Sequence, residues 1–438
     1  MYDINKMNLI NNIKNYFKFN SEFGKNVLTI FTGATIAQII PFIVSPILTR
    51  IYSPENFGLL SLFISITSVF SIVVTFQYES AIVLPKSDKD AAALVYLCFI
   101  ITLIVSFISF IFSILFNKNF ISWFGAEMLK FWIYLIPIPV FLTGIYNALN
   151  NWATRKKQYK RITVRTISQS ITTNLLKIVF GINKFLRGGL ISASIIGQAT
   201  ATFVLALLTW KDDKNIFKKI GVNDIKRNLV NYKNFPKYTA WQGFFDMINS
   251  SGTTFIITSF FGSATLGLYS FTLSILQRPL QLIGASIAQV YYQKASELYN
   301  EGKDIWGITK KLIERLTVIS IFIFIPIAIA GPAIFSFIFG QKWQQAGVIA
   351  QILLPWLIIR FIGSPFTSSI NIIGKQKSFF FLTLFINILF PFLLFICFTL
   401  NINFIISLFF VSIVTAIYFI LIIFWIKKLL YERDKSFK

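Results

Sequence analysis

The sequence contains no histidine and only two cysteines, Cys98 and Cys397. Without histidine, the chain cannot use a histidine proton relay and lacks a common ligand of zinc sites. Both cysteines lie in apolar segments far apart in the chain, so we expect buried thiols rather than a disulfide. No residue pattern predicts a bound metal or any other cofactor.

Charge is also scarce. Only 13% of the 438 residues are charged, whereas 55% are hydrophobic and 50 are phenylalanine. A soluble protein of this length could not bury so much apolar surface, so the composition is typical of a membrane protein. A helix needs roughly 20 apolar residues to cross a bilayer core, and such runs recur with only short gaps between them.

Acidic residues are few: 17, against 41 basic residues, for a formal net charge of +24. In a soluble protein this excess would indicate a nucleic-acid partner. With twelve spans and a cytoplasmic N-terminus, however, 31 of the basic residues lie in cytoplasmic segments, 6 on the opposite side and 4 inside spans. This positive-inside distribution predicts both termini in the cytoplasm and no nucleic-acid partner.

The longest polar interval divides the apolar runs into two groups of six. We predict an all-α integral membrane protein, with two six-helix lobes around a central cavity. The order is a cytoplasmic interfacial segment at 1–25 with an amphipathic stretch at 7–20, an N-terminal lobe at 26–210, a cytoplasmic crossover at 211–237, a C-terminal lobe at 238–427 and a cytoplasmic tail at 428–438. We expect the crossover to tolerate substitution as long as its charge and length persist. The predicted spans are 26–49, 57–79, 91–116, 129–150, 164–181, 188–210, 238–260, 264–290, 316–339, 346–373, 378–399 and 403–426.

The two groups of spans partly repeat each other. A shift of 209 positions places 57–66 over 266–275, with five of ten residues identical. Two parallel six-helix repeats with a binding site between them are therefore expected.

Four cations fall inside the predicted spans: Arg165, Lys177, Arg278 and Arg360. Each would cost roughly 2.5–3.5 kcal/mol at a lipid-exposed helix centre, so they should face protein or water. Polar side chains share their faces at helical spacing. In the span 164–181, one broad arc carries Arg165, Thr166, Gln169, Ser170, Thr172, Thr173, Asn174 and Lys177. The span 238–260 has a stripe of Gln242, Asp246, Asn249 and Thr253. Two further stripes contain Ser274, Arg278, Gln281 and Gln289, and Arg360, Ser364, Thr367 and Asn371. These stripes predict a hydrated cavity that binds an anion, with Gln242 and Asn249 as further substrate contacts.

Only two acidic side chains lie near these cations, Asp246 and Glu79. We interpret them as ion-pair partners or as the site of a coupling ion. The alternative for each intramembrane cation is a structural role, in which it snorkels or binds free carbonyl groups, as beside Pro279.

Enzyme signatures are missing. There is no Gly-rich nucleotide loop followed by Lys and Ser or Thr, and no acidic cluster for a metal. A membrane polymerase or glycosyltransferase would be expected to need a long extracytoplasmic loop, whereas the predicted ones are short. We therefore expect a protein that is not an enzyme.

Several motifs resemble those of bacterial polysaccharide biosynthesis proteins of the O-antigen flippase type. In the first half these are 48–58 (LTRIYSPENFG) and 78–85 (YESAIVLP). In the second half they are 261–262 (FG), 266–270 (LGLYS), Arg278–Pro279 and 286–290 (SIAQV). The resemblance spans residues 26 to about 427 and identifies a family rather than a substrate.

The resemblance implies the twelve-helix, two-lobe fold of the multidrug/oligosaccharidyl-lipid/polysaccharide exporter superfamily. It implies a flippase of the bacterial inner membrane that moves undecaprenyl-diphosphate-linked oligosaccharide, such as the O-antigen unit of lipopolysaccharide, from the cytoplasmic to the periplasmic leaflet by alternating access. Expected partners are this lipid-linked substrate, membrane lipids, a proton or sodium ion for coupling, and polysaccharide polymerase and chain-length proteins. The alternative is a cation-coupled exporter of small drugs with the same fold, which would favour an acidic cavity.

Overall fold

The computed structural model describes residues 22–125, 127–218 and 220–436, although the side chains of 22–31, 238–242, 246 and 434–436 are not described. The amphipathic stretch predicted at 7–20 therefore lies outside the described residues. Cys98 and Cys397 are both buried and free, as predicted.

The described chain is helical from one end to the other. Its first half contains α1 (Glu22–Ile51), α2 (Pro54–Val73), α3 (Asp88–Phe124), α4 (Pro137–Arg155), α5 (Tyr159–Ile182) and α6 (Gly189–Phe217). A short helix, α7 (Val222–Asn231), follows. The second half contains α8 (Ala240–Asn300), α9 (Trp306–Phe339), α10 (Gln344–Gly363), α11 (Gln376–Thr399) and α12 (Phe404–Ser436). Short helical turns connect them at Tyr78–Val83, Glu127–Leu129, Lys130–Ile133, Phe235–Thr239, Gln341–Trp343, Ser364–Ser368 and Ser369–Ile372.

Local sequence explains several of these boundaries. Pro54 stands in the first turn of α2, where its missing N–H costs no helical hydrogen bond. The Ser87 hydroxyl caps α3 by accepting the backbone N–H of Asp90 over 3.1 Å. α3 ends at Phe124, and the following residue, Gly125, has a φ of 56° that is easily reached without a side chain.

Among the described residues, nine helices are long and apolar enough to cross a membrane, or ten if the pair Glu127–Ile133 and Pro137–Arg155, bent by 53°, forms one span. α5 is not among them because its polar arc lowers its hydropathy. α8 counts once, although its backbone leaves helical geometry at Gly262, where φ is 83°. Large apolar side chains are exposed on the outer surface, up to 85% for Phe337, which suits a lipid environment. The chain is a multi-pass membrane protein.

The two halves meet along α2 and α8, where equivalent residues of the internal repeat contact each other. A Cβ on Gly58 would lie 1.8 Å from the carbonyl oxygen of Ser263, and a Cβ on Gly267 would lie 1.7 Å from that of Pro54. Pro54 and Gly58 correspond to Ser263 and Gly267 under the predicted 209-residue shift. The same backbone contact is therefore made twice, as around a local two-fold axis, and only glycine permits so close an approach.

We call the line along which α2 and α8 meet the seam. Further contacts close it at the end that carries Gly58 and Gly267. The Ser61 hydroxyl donates to the hydroxyl of Ser270, its equivalent in the repeat, over 2.7 Å. The indole Nε1 of Trp343 donates to the Thr49 carbonyl over 2.9 Å, and its ring packs edge-on against Phe57 with the ring centroids 5.0 Å apart. All of these contacts lie at the end that the sequence predicts to be extracytoplasmic.

At the opposite end, α7 docks on α3 through its polar face. Asp224 accepts from Lys89 over 2.8 Å, and Arg227 pairs with Asp90. Lys89 and the backbone N–H of Gly221 hold the pKa of Asp224 below its usual value, because both stabilise the carboxylate. The structure thus differs from the expectation of a crossover that needs only charge and length, since this part of it is a helix held by specific partners.

A buried ionic cluster joins α4, α5 and α6 at the same end. The guanidinium of Arg161 donates to Asp212 and to Asp213 over 2.8 Å each, and the Trp152 indole donates to Asp213 over 3.0 Å. Arg161 and Asp213 are both buried, so each satisfies the other's charge.

Candidate functional site

The first cavity lies between the two halves, lined by α1, α2, α5 and α8, and has a volume of about 440 Å³. Most of its lining is apolar, but it receives Lys177 from α5 and Arg278 from α8. Neither cation forms a salt bridge or a side-chain hydrogen bond with another described residue.

The position of Lys177 follows from the polar arc of α5. Ser170, on the same arc, donates to the Ala37 carbonyl of α1 over 2.7 Å, which fixes the helix face that meets α1. Lys177 lies seven residues, or about two turns, further along that face and so lines the cavity beside α1. The helical periodicity predicted this face correctly.

The second cavity, of about 740 Å³, is lined by α2, α8, α10, α11 and α12. It contains Arg360, whose guanidinium carbon lies 5.4 Å from the centroid of the Trp356 ring. The Asn249 side-chain amide donates to the Asn387 amide oxygen across the cavity wall over 3.1 Å. Asn249 thus lines the same cavity as Arg360.

A third cavity, of about 370 Å³, runs between α8 and α10 and is also lined by Arg360 and by Gln281. The three cavities adjoin, because Ser61 and Ser270 line both the first and the second, and Arg360 lines both the second and the third. None of the described side chains that line them is acidic. Two arginines and a lysine therefore give this region a positive potential that suits an anion.

Arg165 differs from the other three cations because protein groups surround it. Its guanidinium carbon lies 3.8 Å from the centroid of the Tyr146 ring, and it donates to the Gln169 side-chain oxygen over 2.7 Å. It lines none of the three cavities. The structure therefore supports the structural alternative for Arg165, a contact between α4 and α5.

The predicted acidic partners occupy different places. Glu79 is 7% exposed and accepts a short hydrogen bond from the Thr75 hydroxyl, and among the described residues no cation lies within salt-bridge distance of it. It lines none of the three cavities. Asp246 and Gln242 lie on α8, but their side chains fall outside the described residues.

Sequence reasoning missed Asn387, Trp356 and Tyr269, which also line the second cavity. Asn387 is the one amide within α11 beyond its first residue, Gln376, and this isolation was the available signal. Trp356 and Tyr269 carry no such signal, because aromatic residues are common throughout this chain.

The fold is that of solved membrane transporters. An inward-facing multidrug resistance MATE family transporter of the MOP superfamily matches with a TM-score of 0.69 and 14% identity, over 93% of this chain and 96% of that one. The lipid II flippase MurJ, in its inward closed conformation, matches with a TM-score of 0.70 and 15% identity, over 93% of this chain and 90% of that one. At these identities the likeness concerns the fold.

Within that class, the sequence defines the family. The model of the polysaccharide biosynthesis protein family matches residues 47–348, so the chain belongs to this family. The capsular polysaccharide biosynthesis protein CapF of Staphylococcus aureus is 24% identical over 363 residues, which cover 81% of this chain and 86% of CapF. The family resemblance seen in the motifs is therefore confirmed.

Proposed function

We propose that this protein is a flippase that moves undecaprenyl-diphosphate-linked oligosaccharide from the cytoplasmic to the periplasmic leaflet of a bacterial inner membrane. The observation that carries the proposal is the pair Lys177 and Arg278, which faces a largely apolar cavity between the halves without an anionic partner in the described chain. A diphosphate attached to a prenyl chain offers both the charge and the apolar surface that such a cavity fits.

The proposal includes twelve spans in two six-helix lobes, with both termini cytoplasmic. In this arrangement α5 also crosses the membrane, despite its low hydropathy, because its polar arc faces the first cavity and α1 instead of lipid. α8 becomes two spans that reverse direction at Gly262. The backbone contact of Gly58 with Gly267 then closes the periplasmic end, which corresponds to an inward-facing state of an alternating-access cycle.

A cation-coupled drug exporter of the same fold is the alternative. A cationic drug would need carboxylates in the cavities, whereas the described lining supplies cations. The coupling ion of the flippase stays a prediction, with Asp246 and Glu79 as the candidate residues, and so do polymerase and chain-length partners.

The test is glycan display in cells whose chromosomal copy is replaced by Arg278→Ala or Arg360→Ala. We expect surface glycan to fall while the protein reaches normal levels in the membrane, and lipid-linked oligosaccharide to accumulate inside. Arg187→Ala, which removes an exposed arginine outside all three cavities, is the control. Unchanged glycan display in both cavity variants would contradict the proposal.

A further inference from the structure

The second cavity differs in chemistry from the first. The first cavity combines its two cations with an apolar lining from α1, α2 and α8, including Phe42 and Leu282. The second presents amide and hydroxyl groups from Asn249, Asn387 and Thr367 together with a single cation. Apolar walls with cations suit the junction of a lipid and a diphosphate, whereas amides and hydroxyls suit the hydroxyl groups of sugars.

Arg360 is held in place but keeps its hydrogen-bonding capacity. Its contact with the Trp356 ring orients the guanidinium, because Trp356 is only 8% exposed and packs against Phe390 with the ring centroids 5.7 Å apart. The guanidinium itself is exposed to the cavity and donates to no side chain or carbonyl of the described chain. A guanidinium presented in this way can bind a carboxylate through two parallel hydrogen bonds.

The two cavities lie on either side of one seam, since the Ser61–Ser270 hydrogen bond stands in the wall of both. Because the two cavities adjoin, the lipid and diphosphate of one ligand can be assigned to the first and its glycan to the second. A neutral sugar would leave the charge of Arg360 without a partner.

We propose that the second cavity is a glycan subsite that selects a sugar carrying a carboxylate, such as a uronic acid, and that Arg360 binds this carboxylate. The inference rests on the proposed function and adds to it the chemical class of the transported glycan. Arg360 acts as a specificity-determining residue, and Lys177 with Arg278 bind the group that all substrates share.

The test measures binding of three synthetic short-chain lipids to the purified full-length protein in nanodiscs: prenyl diphosphate, prenyl-diphosphate-glucose and prenyl-diphosphate-glucuronate. For the wild type we expect the glucuronate lipid to bind about tenfold more tightly than the glucose lipid, as one charge-assisted bidentate contact supports. Arg360→Gln should abolish this preference without changing the affinity for the other two lipids. Arg278→Gln should weaken all three alike.

Arg360→Lys keeps the charge but loses the two parallel N–H groups, so it should retain only part of the preference for glucuronate, and unchanged affinity for prenyl diphosphate shows that the Arg360 variants are folded. Arg187→Gln should leave all three affinities unchanged. If the wild type binds the glucose and glucuronate lipids equally, or if Arg360→Gln keeps the preference, the glycan subsite is refuted while the flippase proposal stands. If the wild type binds none of the three lipids, the flippase proposal itself fails and the subsite fails with it.

Discussion

The contact between Gly58 and Gly267 offers the sharpest test of how the two halves move. Alanine at position 58 would place its Cβ 1.8 Å from the Ser263 carbonyl oxygen. A C–H···O contact needs about 3.3 Å, so α2 and α8 would have to separate by roughly 1.5 Å. Both helices meet backbone to backbone here, and no flexible side chain can give way.

Such overpacking costs about 1–3 kcal/mol. If the protein has two states, only the state that contains this contact is destabilised. The ratio of the two populations should therefore shift away from the closed state by about 5- to 150-fold. Gly58→Ala is therefore expected to open the end of the seam that carries the Ser61–Ser270 hydrogen bond.

The assay is disulfide formation between cysteines introduced at Ser61 and Ser270, whose hydroxyl oxygens are 2.7 Å apart. Cys98 and Cys397 are first replaced by alanine. Gly243→Ala is the matched control, because it lies on the same pair of helices and its Cβ would meet Ile72 at an ordinary 3.6 Å. We expect fast crosslinking in the parent and in the Gly243→Ala background, and slow crosslinking with Gly58→Ala. Equal crosslinking rates in all three backgrounds would refute the claim that the Gly58 contact closes this end of the seam.

Three further predictions concern other parts of the molecule. Arg161→Met should destabilise the protein by about 3–5 kcal/mol in unfolding experiments, because it leaves Asp213 buried without its cation. The control Lys294→Met breaks an exposed pair with Glu297 and should cost at most about 1 kcal/mol. Equal losses of stability in the two variants would contradict this account. Since the pKa of Asp224 is lowered, its contribution to the docking of α7 is present above about pH 4 and is lost as the pH falls through the lowered pKa. Asp224→Asn should mimic that loss at neutral pH and speed tryptic cleavage after Lys226. The control Asp304→Asn, outside the crossover, should leave the cleavage rate unchanged. Unchanged cleavage in Asp224→Asn would show that the pairs with Lys89 and Arg227 do not hold α7. Arg165→Gln should lower thermal stability but leave prenyl-diphosphate affinity within about twofold, because its guanidinium contacts Tyr146 and Gln169 and lies outside the cavities. A tenfold loss of affinity would instead indicate that Arg165 belongs to the binding site.

Features that depend on one helix at a time could be read from the sequence. The faces of α5 and α8 that carry Lys177 and Arg278 follow from helical periodicity, and both side chains line the cavity between the halves. The five identities around Gly58 and Gly267 mark the place where the two halves contact each other. In each case, the signal lies in the spacing of residues along one helix or one repeat.

Features that depend on a neighbouring helix could not be read in this way. Arg165 lies on the same polar arc as Lys177, but Tyr146 of α4 covers it, and no spacing within α5 reveals that. The docking of α7 depends on Asp90 and Lys89, more than a hundred residues earlier in the chain. Glu79 was predicted to pair with a cation or to bind a coupling ion, and its position beside Thr75, away from the cavities, follows from the turn after α2.

The central claim is that Lys177 and Arg278 bind a lipid diphosphate during its movement across the membrane. The most direct measurement uses liposomes that contain the purified protein and a fluorescent prenyl-diphosphate disaccharide, with a quencher added outside to follow transfer between leaflets. The wild type should speed this transfer over protein-free liposomes, and Lys177→Gln combined with Arg278→Gln should reduce it at least about tenfold, since two charge-assisted contacts are lost. Transfer by the double variant at the wild-type rate would contradict the account.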